Sequence, residues 1–225
     1  LTFFFADLSS FDELVAEMES EEVIEILNDY RGAMTDVLFT HGGTLDKFIT
    51  ARILAFFGDP VPQDDPVTRA VRVALGMRVR VADLRRKWFP SATHIDIQVG
   101  IHTGYATVGN VGSEHRVDYT VIGKNVGLAA ALQLEAAPGQ ILLTMRAYEA
   151  VKELFDFEGV QVSLKGSSRP ILAQNVRGEK TVRESVGETT VLEAARAAIP
   201  RKVAHFALVK KLGQGGMGTV YQAID

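Results

Sequence analysis

No cysteine occurs among the 225 residues, which excludes both disulfides and thiolate metal sites. The chain also lacks a basic excess. Its formal net charge is -4 and no long run of lysine and arginine interrupts it, so nothing electrostatic points to nucleic acid or to a membrane surface. No apolar run approaches the roughly 18 residues needed to span a bilayer. The opening residues Leu-Thr-Phe-Phe-Phe carry no basic flank and no cleavage site, so they do not read as a signal peptide. They begin without Met and read directly as a core strand, so the chain is expected to be a piece of a longer, cytoplasmic one. No histidine pair has the spacing of a zinc protease motif, and no serine sits in a nucleophile elbow. His41, His94 and His102 fall at a helix end, a strand start and a glycine turn.

What is present is ordinary globular material: 47% apolar and 23% charged residues, enough for one well-buried domain and an appendage. Residues 1–6 form an apolar, aromatic run ending at Asp7, as a buried strand would. Ser20 is the expected N-cap of a helix with Val23, Ile24, Leu27, Met34, Val37 and Leu38 at helical spacing, closed by His41-Gly42-Gly43. Strands are expected over Thr44–Ile49 and Arg52–Phe57. A second long helix opens at Asp65-Pro66. Further strands are expected over 94–102, 104–112 and 140–143, a helix over 124–135, and a hairpin over 160–176 turning at 166–168. Helices and hairpins mixed in this way predict an α+β sandwich on a largely antiparallel mixed sheet. From residue 177 the composition turns polar, then alanine-rich, and closes at Pro200. This reads as a linker.

Four segments carry a family likeness: Phe5-Ala6-Asp7-Leu8; His41 to Ile49, which reads HGGTLDKFI; Val99 to Gly104, continuing to Gly112; and Asp118 to Gly123, with Asn125-Val126 and Leu128-Ala129-Ala130 behind it. In this order and spacing they resemble the class III adenylyl and guanylyl cyclase homology domain over residues 1–177. The resemblance implies a ferredoxin-like βαβ core that works as a dimer with its sites at the interface. One subunit would supply two aspartates for two metal ions, the other a base-selecting pair plus an Asn and an Arg for the transition state. Two cations are needed to lower the pKa of the attacking ribose 3′-oxygen and to neutralise the triphosphate. A fixed cation then meets the charge that builds on the phosphoryl oxygens.

Only part of that set is here. Asp7 matches the first metal aspartate. The second is replaced by Ala51, after Thr50 where the family has glycine, so at most one Mg²⁺ or Mn²⁺ is expected, and weakly. Lys47 and Thr120 match the base-reading pair, of a kind usually linked to adenine, with ATP the expected ligand. They read equally well as a solvated strand lysine and a residue of good β-propensity. The transition-state Asn and Arg are replaced by Gly127 and Ala131, so no catalytic set is intact. Ser10 and Asp12 replace a family glycine and threonine, and Asp12 places negative charge where a triphosphate would approach a helix N-terminus. Neither a homodimer nor a heterodimer with another cyclase domain completes the site.

The last segment, Gly213, Gly215, Gly218 and Val220 in Gly-x-Gly-x-x-Gly-x-Val, resembles the glycine loop of a bacterial serine/threonine protein kinase. The expected organisation is therefore a cyclase homology domain at 1–177, a linker at 178–201 and a kinase start at 202–225. Three functions are left in competition: a degenerate cyclase domain serving as a dimerising regulatory module of a kinase, a residual adenylate cyclase turning ATP into cyclic AMP and diphosphate, and a plain interaction domain.

Overall fold

A computed structural model describes residues 1–180 except 17, 89–94, 114 and 166–168, and beyond them 202–203, 206–215 and 218–224. The chain divides into two compact units, Leu1–Lys180 and Thr181–Asp225.

The first unit is built on a seven-stranded mixed sheet in the order β2-β3-β1-β4-β7-β9-β8. The strands are β1 (Thr2–Leu8), β2 (Thr44–Ile49), β3 (Arg52–Phe57), β4 (Ile97–Thr103), β7 (Ile141–Thr144), β8 (Phe155–Val162) and β9 (Ile171–Glu179). A separate antiparallel hairpin joins β5 (Thr107–Ser113) to β6 (Arg116–Ile122). The helices are α1 (Phe11–Val15), α2 (Ser20–Thr40), α3 (Pro66–Trp88), α4 (Lys124–Glu135) and α5 (Met145–Glu149).

β1 reads as an unbroken apolar run because both of its faces are buried. Phe4, Ala6 and Leu8 pack into the core beneath α2 and α3, while Phe3 and Phe5 join Leu54, Phe56, Val121 and Ala129 on the face covered by α4. The two-residue period therefore puts Asp7 on the α4 face. Antiparallel pairing sets Ala6 against Ile53, which brings the start of β3 beside Asp7. α4 lies unusually close to β4: a Cβ on Gly100 would stand 2.1 Å from the carbonyl oxygen of Ala129. Glycine is required there because the helix backbone occupies the space of a side chain.

Several expectations need correction at the element ends. Glu19, not Ser20, is the N-cap of α2, and Ser20 is its first helical residue. His102 lies within β4 rather than in a glycine turn. β4 begins at Ile97 and β5 at Thr107, while His94 lies outside the described residues. The tip of the β8–β9 hairpin at 166–168 does too, as does most of the expected linker. Among the described residues no helix is long and apolar enough to cross a membrane.

In the second unit β10 (Lys202–Val203) pairs with β11 (Phe206–Gly215), which pairs antiparallel with β12 (Gly218–Ile224). Gly213 stands opposite Val220 and Gly215 opposite Gly218.

Candidate active site

Two glycine positions of the resemblance have been filled by other residues, yet the backbone keeps the conformation glycine would adopt. Ser10 has φ 53° and Thr50 has φ 55°, both in the left-handed region that β-branched residues strongly resist. The Thr50 turn is held from outside. Arg31 on α2 donates to the Thr50 carbonyl from Nη2 at 2.9 Å and from Nε at 3.3 Å, and its guanidinium lies 5.2 Å from the centre of the Phe48 ring. Ser10 precedes the short helix α1, whose first turn carries Asp12 and Glu13.

Between these two turns is a cavity of about 340 Å³ lined by Asp7, Ser10, Asp12, Thr50, Ala51 and Arg52, among others. Asp7 is its focus. Oδ1 accepts from the Leu8 amide at 3.0 Å, and Oδ2 accepts from Arg52 Nε at 3.0 Å and pairs with Arg52 Nη2 at 3.0 Å. Burial pushes the Asp7 carboxyl above the usual carboxylate range; the Arg52 guanidinium opposes that rise and Asp12 adds to it. Ala51, 2% exposed, contributes no side-chain ligand atom. Among the described residues no group of three or more His, Cys, Asp or Glu could hold a metal ion. The donor set does not fit the two-ion site that the resemblance implies, because one aspartate is absent and the other is engaged by a guanidinium.

Lys47, Thr120, Gly127 and Ala131 do not line that cavity. Lys47 and Thr120 are brought together elsewhere by a third residue, Asp46. Thr120 Oγ1 donates to Asp46 Oδ2 at 2.5 Å, and Lys47 Nζ lies 3.1 Å from Asp46 Oδ1. Gly127 sits on the exposed side of α4 with nothing within 4 Å of the place its Cβ would take, so an asparagine side chain has room there. Ala131 is half-buried and packs toward Leu132, Ala136 and Leu142. Nearby, His102 bridges three elements: Nδ1 lies 2.8 Å from Thr144 Oγ1 and Nε2 lies 3.2 Å from Asn125 Oδ1. Burial lowers the His102 pKa, so the neutral imidazole is favoured.

Asp7 and the Lys47–Thr120 pair thus occupy separate places on the chain. Residues 1–178 match the family described as the adenylate and guanylate cyclase catalytic domain. The chain belongs to that family. Among solved cyclases, the adenylyl cyclase CyaB from P. aeruginosa is 36% identical with a TM-score of 0.74, covering 83% of this chain and 96% of that one. The guanylyl cyclase Cya2 is 31% identical with a TM-score of 0.75, covering 81% and 94%. Adenylate cyclase 1 of Rhizobium meliloti (strain 1021) is 30% identical over 134 residues, which is 59% of this chain and 20% of that protein. The chain thus spans a small part of this longer relative. Both a mixed α+β fold and a cyclase domain are what the motifs implied.

Sequence reasoning missed Arg52, Asp46 and Arg31. Arg52 had one visible signal, a lone charge opening the apolar run Ile53 to Phe57. Asp46 and Arg31 are recognisable only once strand register and helix packing are known.

Proposed function

We propose that this domain is a catalytically degenerate member of the cyclase family that serves as a regulatory dimerisation module, attached to a serine/threonine kinase that begins at 202. The observation that carries the reading is the Asp7–Arg52 pair beside Ala51. Where catalysis needs two carboxylates for two divalent ions, this chain offers one carboxylate already neutralised by its own guanidinium. Gly127 and Ala131 add a second deficit, since neither can donate to a phosphoryl oxygen. Loss of one such donor typically lowers the rate by about 10²–10³.

A homodimer is supported by the β5–β6 hairpin, which stands apart from the main sheet and exposes Val111, Val117, Tyr119 and Ile122. Val121 anchors the hairpin to the core of the main sheet, and a second copy of the chain would cover the side chains left exposed. The expected test is sedimentation of the whole chain together with a product assay. Dimers that make no cyclic AMP from ATP with Mg²⁺ or Mn²⁺, above an Asp7→Ala control, support the reading. A chain that stays monomeric at high concentration sinks it.

The alternative, a residual adenylate cyclase, is favoured by the preserved Lys47–Asp46–Thr120 cluster. Cyclic AMP formation that disappears in Asp7→Ala would establish it instead. The linker at 178–201 and the kinase start belong to the proposal. The β11–β12 hairpin, with Gly213, Gly215, Gly218 and Val220 about its turn, supports the latter.

A further inference from the structure

Asp46 lies between the two residues read as base contacts, and its side chain is wholly buried. Its Oδ2 accepts from the Thr120 hydroxyl at 2.5 Å and from the Val121 amide at 3.3 Å. Its Oδ1 is 3.1 Å from Lys47 Nζ. That second contact is Coulombic rather than a directed hydrogen bond, so the N–H groups of Lys47, a side chain 42% exposed, are not consumed by it.

A carboxylate in an ion pair has acceptors only. Thr120 has a single hydroxyl proton, and at 2.5 Å from Asp46 that proton is committed inward. Toward a ligand the hydroxyl is therefore left with lone pairs alone. Lys47 has donors alone. The two side chains together present one fixed donor and one fixed acceptor. Adenine offers the complement, a ring-nitrogen acceptor at N1 beside an exocyclic amine donor. Guanine reverses both, with N1–H beside the acceptor O6. A threonine hydroxyl free to rotate could also donate to O6, which would leave Lys47 alone to discriminate between the bases.

We infer that Asp46 is a positioning residue that fixes the Thr120 hydroxyl as an acceptor beside the Lys47 donor and so sharpens the selection of adenine over guanine nucleotides at this site. The inference rests on reading Lys47 and Thr120 as the base-binding pair of a nucleotide-binding, dimerising domain.

Binding of the fluorescent nucleotides MANT-ATP and MANT-GTP to the whole 225-residue chain, followed in the ultracentrifuge, tests it. Wild type should bind MANT-ATP about tenfold or more tighter than MANT-GTP, as expected when a mismatched base leaves buried polar groups unpaired. Asp46→Asn, whose amide can donate to Thr120 and release its proton outward, should cut the ratio several-fold while the circular dichroism spectrum is retained. Thr120→Ser should keep the preference. Thr120→Val should weaken it as Asp46→Asn does and make Asp46→Asn silent in the same background. An unchanged ratio in folded Asp46→Asn overturns the inference, as does equal binding, or no binding, of both nucleotides by wild type. Should Asp46→Asn fail to fold, equal ratios in Thr120→Ser and Thr120→Val overturn it. Dimers without base preference refute only the role of Asp46, whereas selective binding by a permanent monomer refutes the regulatory reading.

Discussion

Thr50 is the residue whose conformation says most about this chain. Its φ of 55° lies where glycine is at ease, and a non-glycine residue in this region carries roughly 1–3 kcal/mol of strain. Thr50→Gly is expected to stabilise the domain by about 1 kcal/mol, because the entropy glycine adds to the unfolded chain offsets part of the relief. Urea denaturation would show this as a higher midpoint at unchanged slope, and a lower midpoint would contradict it. Asp7 gives a pH dependence of definite sign. Burial raises its pKa above the ordinary 3.8, so between that value and the raised one the folded state binds more protons than the unfolded state. The stabilisation is fully present below 3.8 and is lost as pH rises through the folded value. Asp7→Asn should remove this part of the stability profile and leave the domain folded at pH 7. A profile identical to wild type would show that the carboxyl is not desolvated.

Among the elements, α4 holds two glycine contacts of opposite expectation. Gly127 is a helix-interior glycine in open space, so Gly127→Ala should stabilise by about 1 kcal/mol. A Cβ at Gly100 would collide with the backbone of the same helix at Ala129 and Gln133. Gly100→Ala should therefore lower stability by about 3 kcal/mol, at the upper end of overpacking effects. Equal thermal shifts for the two variants would place α4 differently on the sheet. The elements themselves were legible to unequal degrees. β2, β3 and α4 were read with the ends the structure has, because Gly42-Gly43, the Thr50-Ala51 turn and Gly123 punctuate them. Of α1 only the N-terminus near Asp12 was read and α5 not at all, since five residues carry too little periodicity. Of the site, Ala51, Gly127 and Ala131, on which the proposed degeneracy rests, stood out as letters departing from the resemblance. The Asp7–Arg52 pair depends on the register of β1 against β3, and Asp46–Thr120 joins residues 74 positions apart. Local patterning holds no information on either.

At the scale of the whole molecule, framework and chemistry have separated. The cyclase framework is complete, and the proposed degeneracy rests on a few side chains, so restoring them should restore function. The combined variant Thr50→Gly, Ala51→Asp, Gly127→Asn and Ala131→Arg is expected to gain cyclic nucleotide synthesis with Mn²⁺. Adding Arg52→Ala should raise it further by releasing Asp7. Product formation by mass spectrometry checks both steps. A folded, dimeric combined variant that makes no product, with and without Arg52, would show that further positions have been lost.

The Asp7–Arg52 pair also bears on how this domain meets its surroundings. A guanidinium tethered within the same sheet acts at an effective concentration of millimolar order or higher, and unlike a dissolved ion it never dilutes away. A divalent ion reaching Asp7 must compete with a counter-ion that cannot leave. The charge balance of the cavity is thereby insulated from swings in magnesium supply, and chelators should leave the melting temperature of the domain where it was.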